Sequence, residues 1–427
     1  MNYLSIKYFY NQMFNALYSF LFAFVYMLAK LVSPFSVKIR GFFAQRNSIA
    51  KDIAHFKKEK GQTVFWFHTA SMGEFEQIKP LLEEIKISFP NAQNVVTFFS
   101  PSGYDIFKSS PLANAVSYLP LDRSKDLKSY LNKIQPDALF LVKYEFWPNL
   151  LKTVHQRNIH IYSISSTFRK EQLFFKSISF GLRALLEKVN YFFVLNQTSK
   201  DLLNKISIKN VEIIGDTRFD RVLANARSVR KHTIIEEFLG DQLCCIAGST
   251  WPEDHALFLP LFQEKMPCKW IIAPHKVEKE AIAQLERTLP IQAAKWTTFN
   301  IKKDASKSIL IIDCIGVLST AYGNGDIAYV GGGMGTKGLH NTLEAAVFGL
   351  PVIIGKNYHR YPEANLLIQN GGMTSVKSTK EFADIYQQLI TQKELRKKQG
   401  MANQNFIKTH QGATEKIISF LKTQFET

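Results

Sequence analysis

The sequence is short of cysteine and of acidic side chains. Its four cysteines, Cys244, Cys245, Cys268 and Cys314, show no zinc-like spacing, and each lies in or beside a short apolar run. They read as small core residues in a reducing, cytoplasmic setting rather than as metal ligands or disulfide partners. No Asp-x-Asp pair or carboxylate cluster offers a metal site. No RNP-type aromatic signature is present and the basic residues are not massed in one run, which argues against nucleic acid as a partner. Nor does a small-x-small cleavage pattern follow the N-terminal apolar segment, where Ala29-Lys30-Leu31-Val32 stands, so a cleaved signal peptide is not expected.

What is present is a chain of 427 residues, 46% hydrophobic and 21% charged, with a net charge of +17. That length exceeds what one core serves, so two domains with a short appendage are expected. The excess of cations favours an anionic partner: an acidic lipid surface or a phosphorylated substrate. From Met13 to Ala29 the chain is uncharged and rich in aromatics, with Lys30, Lys38, Arg40 and Arg46 following. This stretch is a helix candidate near the lower limit of the about 17–25 residues that cross a bilayer. A tilted span, an interfacial helix and a buried core helix are all open to it. The basic flank after it places the globular part on the cytoplasmic side.

The remainder alternates short apolar strands with helices. In the first half TVFWF leads into His68-Thr69-Ala70-Ser71-Met72-Gly73-Glu74, followed by a helix whose Phe75, Ile78, Leu81, Leu82 and Ile85 share one face and which Pro80 could kink. NVVTFF, ALFLV, IHIYSI, YFFVL and VEII repeat the pattern. A charged stretch from Arg221 to Glu237 precedes a second series: CCIA, KWIIA, SILIID, DIAYV and PVII. Such alternation implies mainly parallel sheets covered on both faces, with ligands at the carboxyl ends of the strands. The expected fold is α/β of the GT-B kind, two Rossmann-like domains facing across a cleft with an N-terminal membrane-associated helix. The expected boundaries are 1–40 for the anchor helix, 41–225 for an acceptor domain and 226–427 for a donor domain.

Gly331 to Glu344 is the most informative stretch. A glycine-rich loop that opens a helix, here capped by Asn341 or Thr342 and ending at Gly349, presents backbone N–H groups and a positive dipole end to a phosphate. Gly333, Gly335 and Gly338 also satisfy G-x-G-x-x-G. The next strand, however, runs into Gly355-Lys356 without the acidic residue that a dinucleotide ribose needs. In the first half Glu74 opens a helix, where favouring the dipole is the ordinary use of a glutamate. Glu145 follows a strand beside Trp147, and capping the next helix competes with a role on a sugar.

Ala70-Ser71-Met72-Gly73-Glu74, Ser100-Pro101-Ser102-Gly103, Glu145-Phe146-Trp147-Pro148-Asn149, Gly215-Asp216-Thr217-Arg218-Phe219-Asp220, Ala247-Gly248-Ser249-Thr250 and Gly338-Leu339-His340-Asn341-Thr342-Leu343-Glu344 stand in the order found in Kdo transferases, the 3-deoxy-D-manno-octulosonic acid transferases of lipopolysaccharide synthesis, and the chain resembles that family. The resemblance implies an inverting, metal-independent glycosyltransferase of the bacterial inner membrane. It would move Kdo from CMP-Kdo to lipid IVA, the lipid A precursor, without a cofactor, and Glu74 maps onto the family's catalytic base. It further implies acceptor or sugar contacts at Ser71, Gly73, Ser102, Glu145 and Arg218. Donor contacts fall at Ser249, Thr250, Pro274, His275, Lys276, Gly316, Gly333, Lys337, His340, Asn341 and Glu344. Departures from the family pattern stand at Pro274-His275-Lys276, at Gly316-Val317-Leu318, at Leu339 and at Lys143. Other classes left open by the residues are a nucleotide-sugar epimerase or NAD-type oxidoreductase of similar fold, and a non-catalytic sugar-binding protein at the membrane.

Overall fold

The structure is a computed structural model that describes residues 3–176, 180–262 and 266–425. The chain divides into two compact units, one of residues 1–221 with 412–427 and the other of residues 222–411.

The first unit is built on seven parallel strands: β1 (Thr63–Thr69), β2 (Ala92–Phe98), β3 (Ala115–Tyr118), β4 (Ala138–Val142), β5 (His160–Ser166), β6 (Tyr191–Val194) and β7 (Val211–Ile213), in the order β3-β2-β1-β4-β5-β6-β7. Strand direction of travel reverses at the β1/β4 neighbours, so their carboxyl ends flank the place where such sheets open a crevice. Phe65 and Phe67 face one side of β1, Val64 and Trp66 the other, and all four are buried. Both faces are therefore covered, which is why the strand reads as continuously apolar. The helix Met72–Ser88 buries all five residues of its expected face and continues through Pro80. β3 is absent from the pattern read in the sequence, because Ala-Val-Ser-Tyr is short and carries no strong apolar signal.

The second unit repeats the plan with β8 (Cys244–Thr250), β9 (Lys269–Pro274), β10 (Ala293–Lys295), β11 (Ile309–Ile311), β12 (Ile327–Val330), β13 (Val352–Gly355) and β14 (Met373–Val376), all parallel, in the order β10-β11-β9-β8-β12-β13-β14. Here the reversal lies between β8 and β12. Cys244, Cys245 and Cys268 are buried as expected, whereas Cys314, just past β11, is part-exposed. The two sheets give the α/β class with two Rossmann-like units expected from the sequence.

One boundary differs. The sequence reading assigned everything after 226 to the donor domain, yet the final helix, Ala413–Phe425, returns to the first unit. Ile417, Ile418 and Leu421 enter the core formed by β1, β4 and β6, and Phe420 packs on Tyr162, Tyr191 and Phe193. An amphipathic helix shows in its sequence that it covers a sheet, but not which one. Asp220 fixes the return by accepting the N–H groups of Gly412 and Thr414, both at 2.7 Å.

The N-terminal helix, Tyr3–Val32, is longer than the apolar run suggested. Its side from Phe14 and Tyr18 to Phe22, Tyr26 and Ala29 is half-buried, and Ser19 Oγ donates to Asn149 Oδ1 at 2.9 Å. Phe20, Leu21, Phe24, Val25, Leu28 and Leu31 are exposed on the rest of the helix. The segment Asn11–Phe35 is long and apolar enough to cross a membrane, with none of its most apolar window buried. The buried-core alternative is thereby overturned.

Candidate active site

In the first unit three adjacent strand ends converge. Ser100 N–H, after β2, donates to Ala70 O, after β1, at 2.9 Å. Gly103 fits between them only because it lacks a side chain: a Cβ there would lie 2.2 Å from Phe98 Cδ1 and 3.1 Å from Met72 N. Ser71 is the N-cap of the helix Met72–Ser88, and Glu74 in its first turn folds back to accept Ala70 N–H at 2.5 Å. The helix-start role foreseen for Glu74 is therefore real. It coexists with an electrostatic setting that suits a base. Burial raises the Glu74 carboxyl above its ordinary range; the Ala70 N–H and the charge of Lys143 pull it back, Glu145 adds to the rise, His68 opposes it, and the net shift is upward. Gly73 is exposed with open space where a Cβ would be, and Ser102 is exposed with its hydroxyl 3.0 Å from that of Ser100.

Glu145 comes from the end of β4, across the strand reversal from β1. Its Oε2 accepts Trp147 Nε1–H at 2.8 Å and lies 3.5 Å from His68 Nε2. Burial raises its carboxyl, but His68 and the indole N–H outweigh burial and hold it below the ordinary value. Two neighbouring carboxylates are thus pushed in opposite directions. Glu145 does not cap the following helix. Asp122 does so, accepting Asn149 N–H at 3.1 Å and Leu150 N–H at 2.7 Å. Sequence spacing could not reveal this cap, which comes from a distant loop. Arg218 is paired with Asp216, at 2.7 Å, next to the end of β5.

In the second unit the ends of β8, β9 and β12 form a separate cluster. Trp251, just after β8, stacks on His275 with ring centroids 4.5 Å apart and donates Nε1–H to His340 Nε2 at 3.1 Å. His275 and His340 lie 4.6 Å apart, and the Lys337 ammonium sits 5.7 Å from the Trp251 ring centroid. Burial lowers the affinity of both imidazoles for a proton, with Lys276 adding to the effect at His275 and His275 at His340. Thr250 is buried with Oγ1 2.8 Å from His255 Nε2, and Ser249 beside it adopts φ 53°. Thr250, Pro274 and Lys276 also line a cavity of about 410 Å³ walled by Trp251, Leu259 and Leu285. Gly316 stands apart, in the loop after β11, at φ 97°.

Two expectations for the glycine-rich loop need correction. Its helix is one turn, Leu343–Ala346, rather than a run to Gly349, so the dipole available to a phosphate is small. Asn341 Oδ1 accepts Leu343 N–H at 3.2 Å and is the capping group, while the hydroxyl of Thr342 is buried without a partner. The backbone N–H of Gly332 is not free either, since it donates to Asp254 at 2.8 Å. Asp254, fully buried, also accepts Trp251 N–H at 2.9 Å and the Tyr329 hydroxyl at 2.7 Å, and so ties the β8 loop to the glycine-rich loop. Gly332 and Gly338 carry φ 88° and 103°, and a Cβ on Gly332 would lie 2.0 Å from Gly338 O. Close backbone approach thus accounts for these glycines. Glu344 is half-buried and accepts Asn341 Nδ2–H at 3.1 Å. Trp251 and Asp254 were missed in the sequence, where only the P-E-D run of a helix start marks them.

Residues 43–221 match the family described as Glycos_transf_N, 3-deoxy-D-manno-octulosonic-acid transferase (kdotransferase). A bifunctional glycosyltransferase/methyltransferase of Fusobacterium nucleatum is 27% identical over 337 residues. These are 76% of this chain and 52% of that protein, so the chain spans about half the length of that relative. The 3-deoxy-D-manno-octulosonic acid transferase of Haemophilus influenzae is 25% identical over 374 residues, 84% of this chain and 87% of that one. Among solved structures, UDP-GlcNAc 2-epimerase from Neisseria meningitidis superposes with a TM-score of 0.59 at 15% identity, covering 85% of this chain and 100% of that one. Acinetobacter baumannii MurG does so with a TM-score of 0.52 at 10% identity, covering 85% and 99%. The structural likenesses carry the fold alone. The sequence matches liken residues 43–221 to the Kdo transferase family, and most of the chain to proteins named 3-deoxy-D-manno-octulosonic acid transferase at 21–26% identity.

Proposed function

We propose that this chain, which carries the Kdo transferase domain over residues 43–221, moves Kdo from CMP-Kdo to lipid IVA with Glu74 as general base. The observation that carries the reading is the opposite tuning of Glu74 and Glu145 at the strand reversal of the first sheet. A CMP-activated ketoside has a good leaving group, so the demanding step is removing the proton of the attacking hydroxyl. A carboxylate whose proton affinity is raised by burial suits that step, and Glu145, held ionised by His68 and Trp147, keeps Glu74 from giving its proton up too readily. One displacement with one base inverts the anomeric centre.

In this reading the second unit holds the nucleotide. His275, Lys276, Lys337 and the imidazole of His340 gather at the ends of β9 and β12, where a phosphate could be met by cations and N–H donors without a metal. Glu344 accepts the ribose hydroxyls. The exposed apolar side of the N-terminal helix, followed by its basic flank, would hold the enzyme at the cytoplasmic face of the inner membrane, where its lipid acceptor lies. The test is purified protein with CMP-Kdo and lipid IVA, the product read by mass spectrometry. A mass increase of one or more Kdo residues with stoichiometric CMP release is expected. Interconversion of UDP-sugars without transfer would favour the epimerase reading instead, and ligand binding without turnover a sugar-binding protein.

A further inference from the structure

Arg46 is a buried cation that no carboxylate among the described residues balances. It lies on the helix Val37–Asn47, is only 8% exposed, and lines two adjoining cavities of the first unit, of about 480 and 180 Å³. Its guanidinium stacks on Phe42 at 3.7 Å and lies over Phe99 at 4.9 Å and Tyr118 at 5.2 Å. Nη2 donates to Phe99 O at 2.9 Å; Nη1 makes only long contacts, to Phe42 O at 3.5 Å and Gln45 Oε1 at 3.4 Å; Nε has no partner. Among the described residues no carboxylate pairs with it, and burial lowers its proton affinity to about 10, which leaves it charged at neutral pH. A desolvated charge without a counter-ion costs folding free energy, so an anion that completes the site would be strongly held.

The two cavities differ in character. The larger is rimmed by Lys30, Arg123 and Lys133 in addition to Arg46, with Asp126 as its one carboxylate. That carboxylate is already consumed by Arg123, in a two-pronged pair of 2.6 and 2.9 Å. The smaller is walled mostly by apolar groups, among them Phe22 and Val25 of the N-terminal helix, Phe43, Leu121 and Trp147; Asp122 also lines it, but its carboxylate is taken up by the N–H groups of Asn149 and Leu150. Cations at one end and an apolar slot at the other match an anionic amphiphile. Trp147, which lines the slot, is the residue that donates to Glu145, so one side chain separates the slot from the carboxylate pair. That proximity favours a substrate lipid over the bulk phospholipid of a bilayer.

We infer that Arg46, Lys30 and Lys133 form the seat for a phosphate group of the lipid acceptor, with one of its acyl chains lying in the slot between the N-terminal helix and Trp147. The inference rests on the transferase reading for the identity of the lipid, but not for the chemistry of the site. The experiment uses the full chain in detergent micelles. Binding of lipid IVA and of its dephosphorylated form is measured for the wild type, for Arg46→Gln and for the exposed pair Lys30→Gln/Lys133→Gln, together with KM and kcat for Kdo transfer. Sedimentation with phosphatidylglycerol vesicles is measured in parallel. Each cationic variant should weaken lipid IVA binding and raise its KM by about tenfold or more, the loss of a charge-assisted hydrogen bond, with kcat, CMP binding and vesicle sedimentation little changed. The dephosphorylated lipid should bind wild type and variants alike. Equal losses for vesicles and lipid IVA would make the site a general anionic surface and overturn the inference; so would unchanged affinity in the lysine pair, a variant whose exposed positions leave the fold intact. If the wild type binds lipid IVA through these residues but transfers no Kdo, the transferase reading fails while the site stands.

Discussion

His68 Nε2 faces Glu145 Oε2 at 3.5 Å, while Nδ1 of the same ring lies 3.2 Å from the carbonyl oxygen of Thr97. The Thr97 hydroxyl lies 3.1 Å from the same Nδ1, so the ring is held by Thr97 at one nitrogen and faces the Glu145 carboxylate with the other. The ring, fully buried between β1 and β2, therefore anchors Glu145 from beneath, and Glu145 in turn adds its charge to surroundings of Glu74 that are governed first by burial.

The first consequence concerns Glu74. Glu74→Gln keeps size and the contact with Ala70 N–H but cannot take up a proton, so kcat should fall roughly 10²–10⁴-fold with CMP affinity unchanged. Single-turnover rates with saturating donor check this. Near-normal turnover would leave Glu74 as a helix-start residue and make Glu145 the next base to test.

Turnover should also report the upward shift of Glu74 in its pH dependence. A base works only when deprotonated, so kcat should fall on the acid side at a pH above the ordinary glutamate range. Glu145 contributes to that shift by like-charge repulsion. Removing the charge in Glu145→Gln lowers the proton affinity of Glu74, and the acid limb should move to lower pH whatever happens to the maximal rate. A limb that stays in place would disconnect the two carboxylates.

On the donor side, Glu344→Ala should weaken CMP binding by about 1–3 kcal/mol, because ribose hydroxyls lose their acceptor. Titration calorimetry measures it. An unchanged affinity would remove the residue from the nucleotide site.

Asp254 is expected to be structural. Replacing it by Ala strands the N–H groups of Trp251 and Gly332 and the hydroxyl of Tyr329, which should destabilise the second unit by about 2–5 kcal/mol. Urea unfolding followed by Trp fluorescence tests this, and the variant should still bind CMP at low temperature if the loops reform.

Much of this molecule is legible in its sequence because its strands are apolar on both faces and end in polar loops. Thr250 ends a strand, and Glu74, Glu145 and His340 lie in the segments that follow one, the places where such a pattern puts polar groups. β10 and β14 escaped notice because Ala-Ala-Lys and Met-Thr-Ser-Val are too short and too weakly apolar to stand out. Asp122, Asp254 and Arg46 escaped for another reason: a buried polar residue takes its meaning from partners far away in the chain, as Asp254 does from Tyr329. The length of the glycine-rich loop's helix was overestimated because apolar residues up to Gly349 fit a helix equally well as a turn packed beneath a sheet.

The return of the last helix has a consequence for how the protein is made. With Ile417 and Leu421 filling the core of the first sheet, the second unit is an insertion within the first, and the first unit closes only after the helix Ala413–Phe425 has left the ribosome. While the second unit emerges and folds, the sheet holding Glu74 waits with an apolar strip around Phe193 and Tyr191 uncovered, a contact of long sequence separation that forms last. Chains cut short near residue 411 would carry every strand and both carboxylates, yet leave that strip open to chaperones and proteases. Survival of the first unit is thereby coupled to synthesis of the last helix, which follows the second unit in the chain.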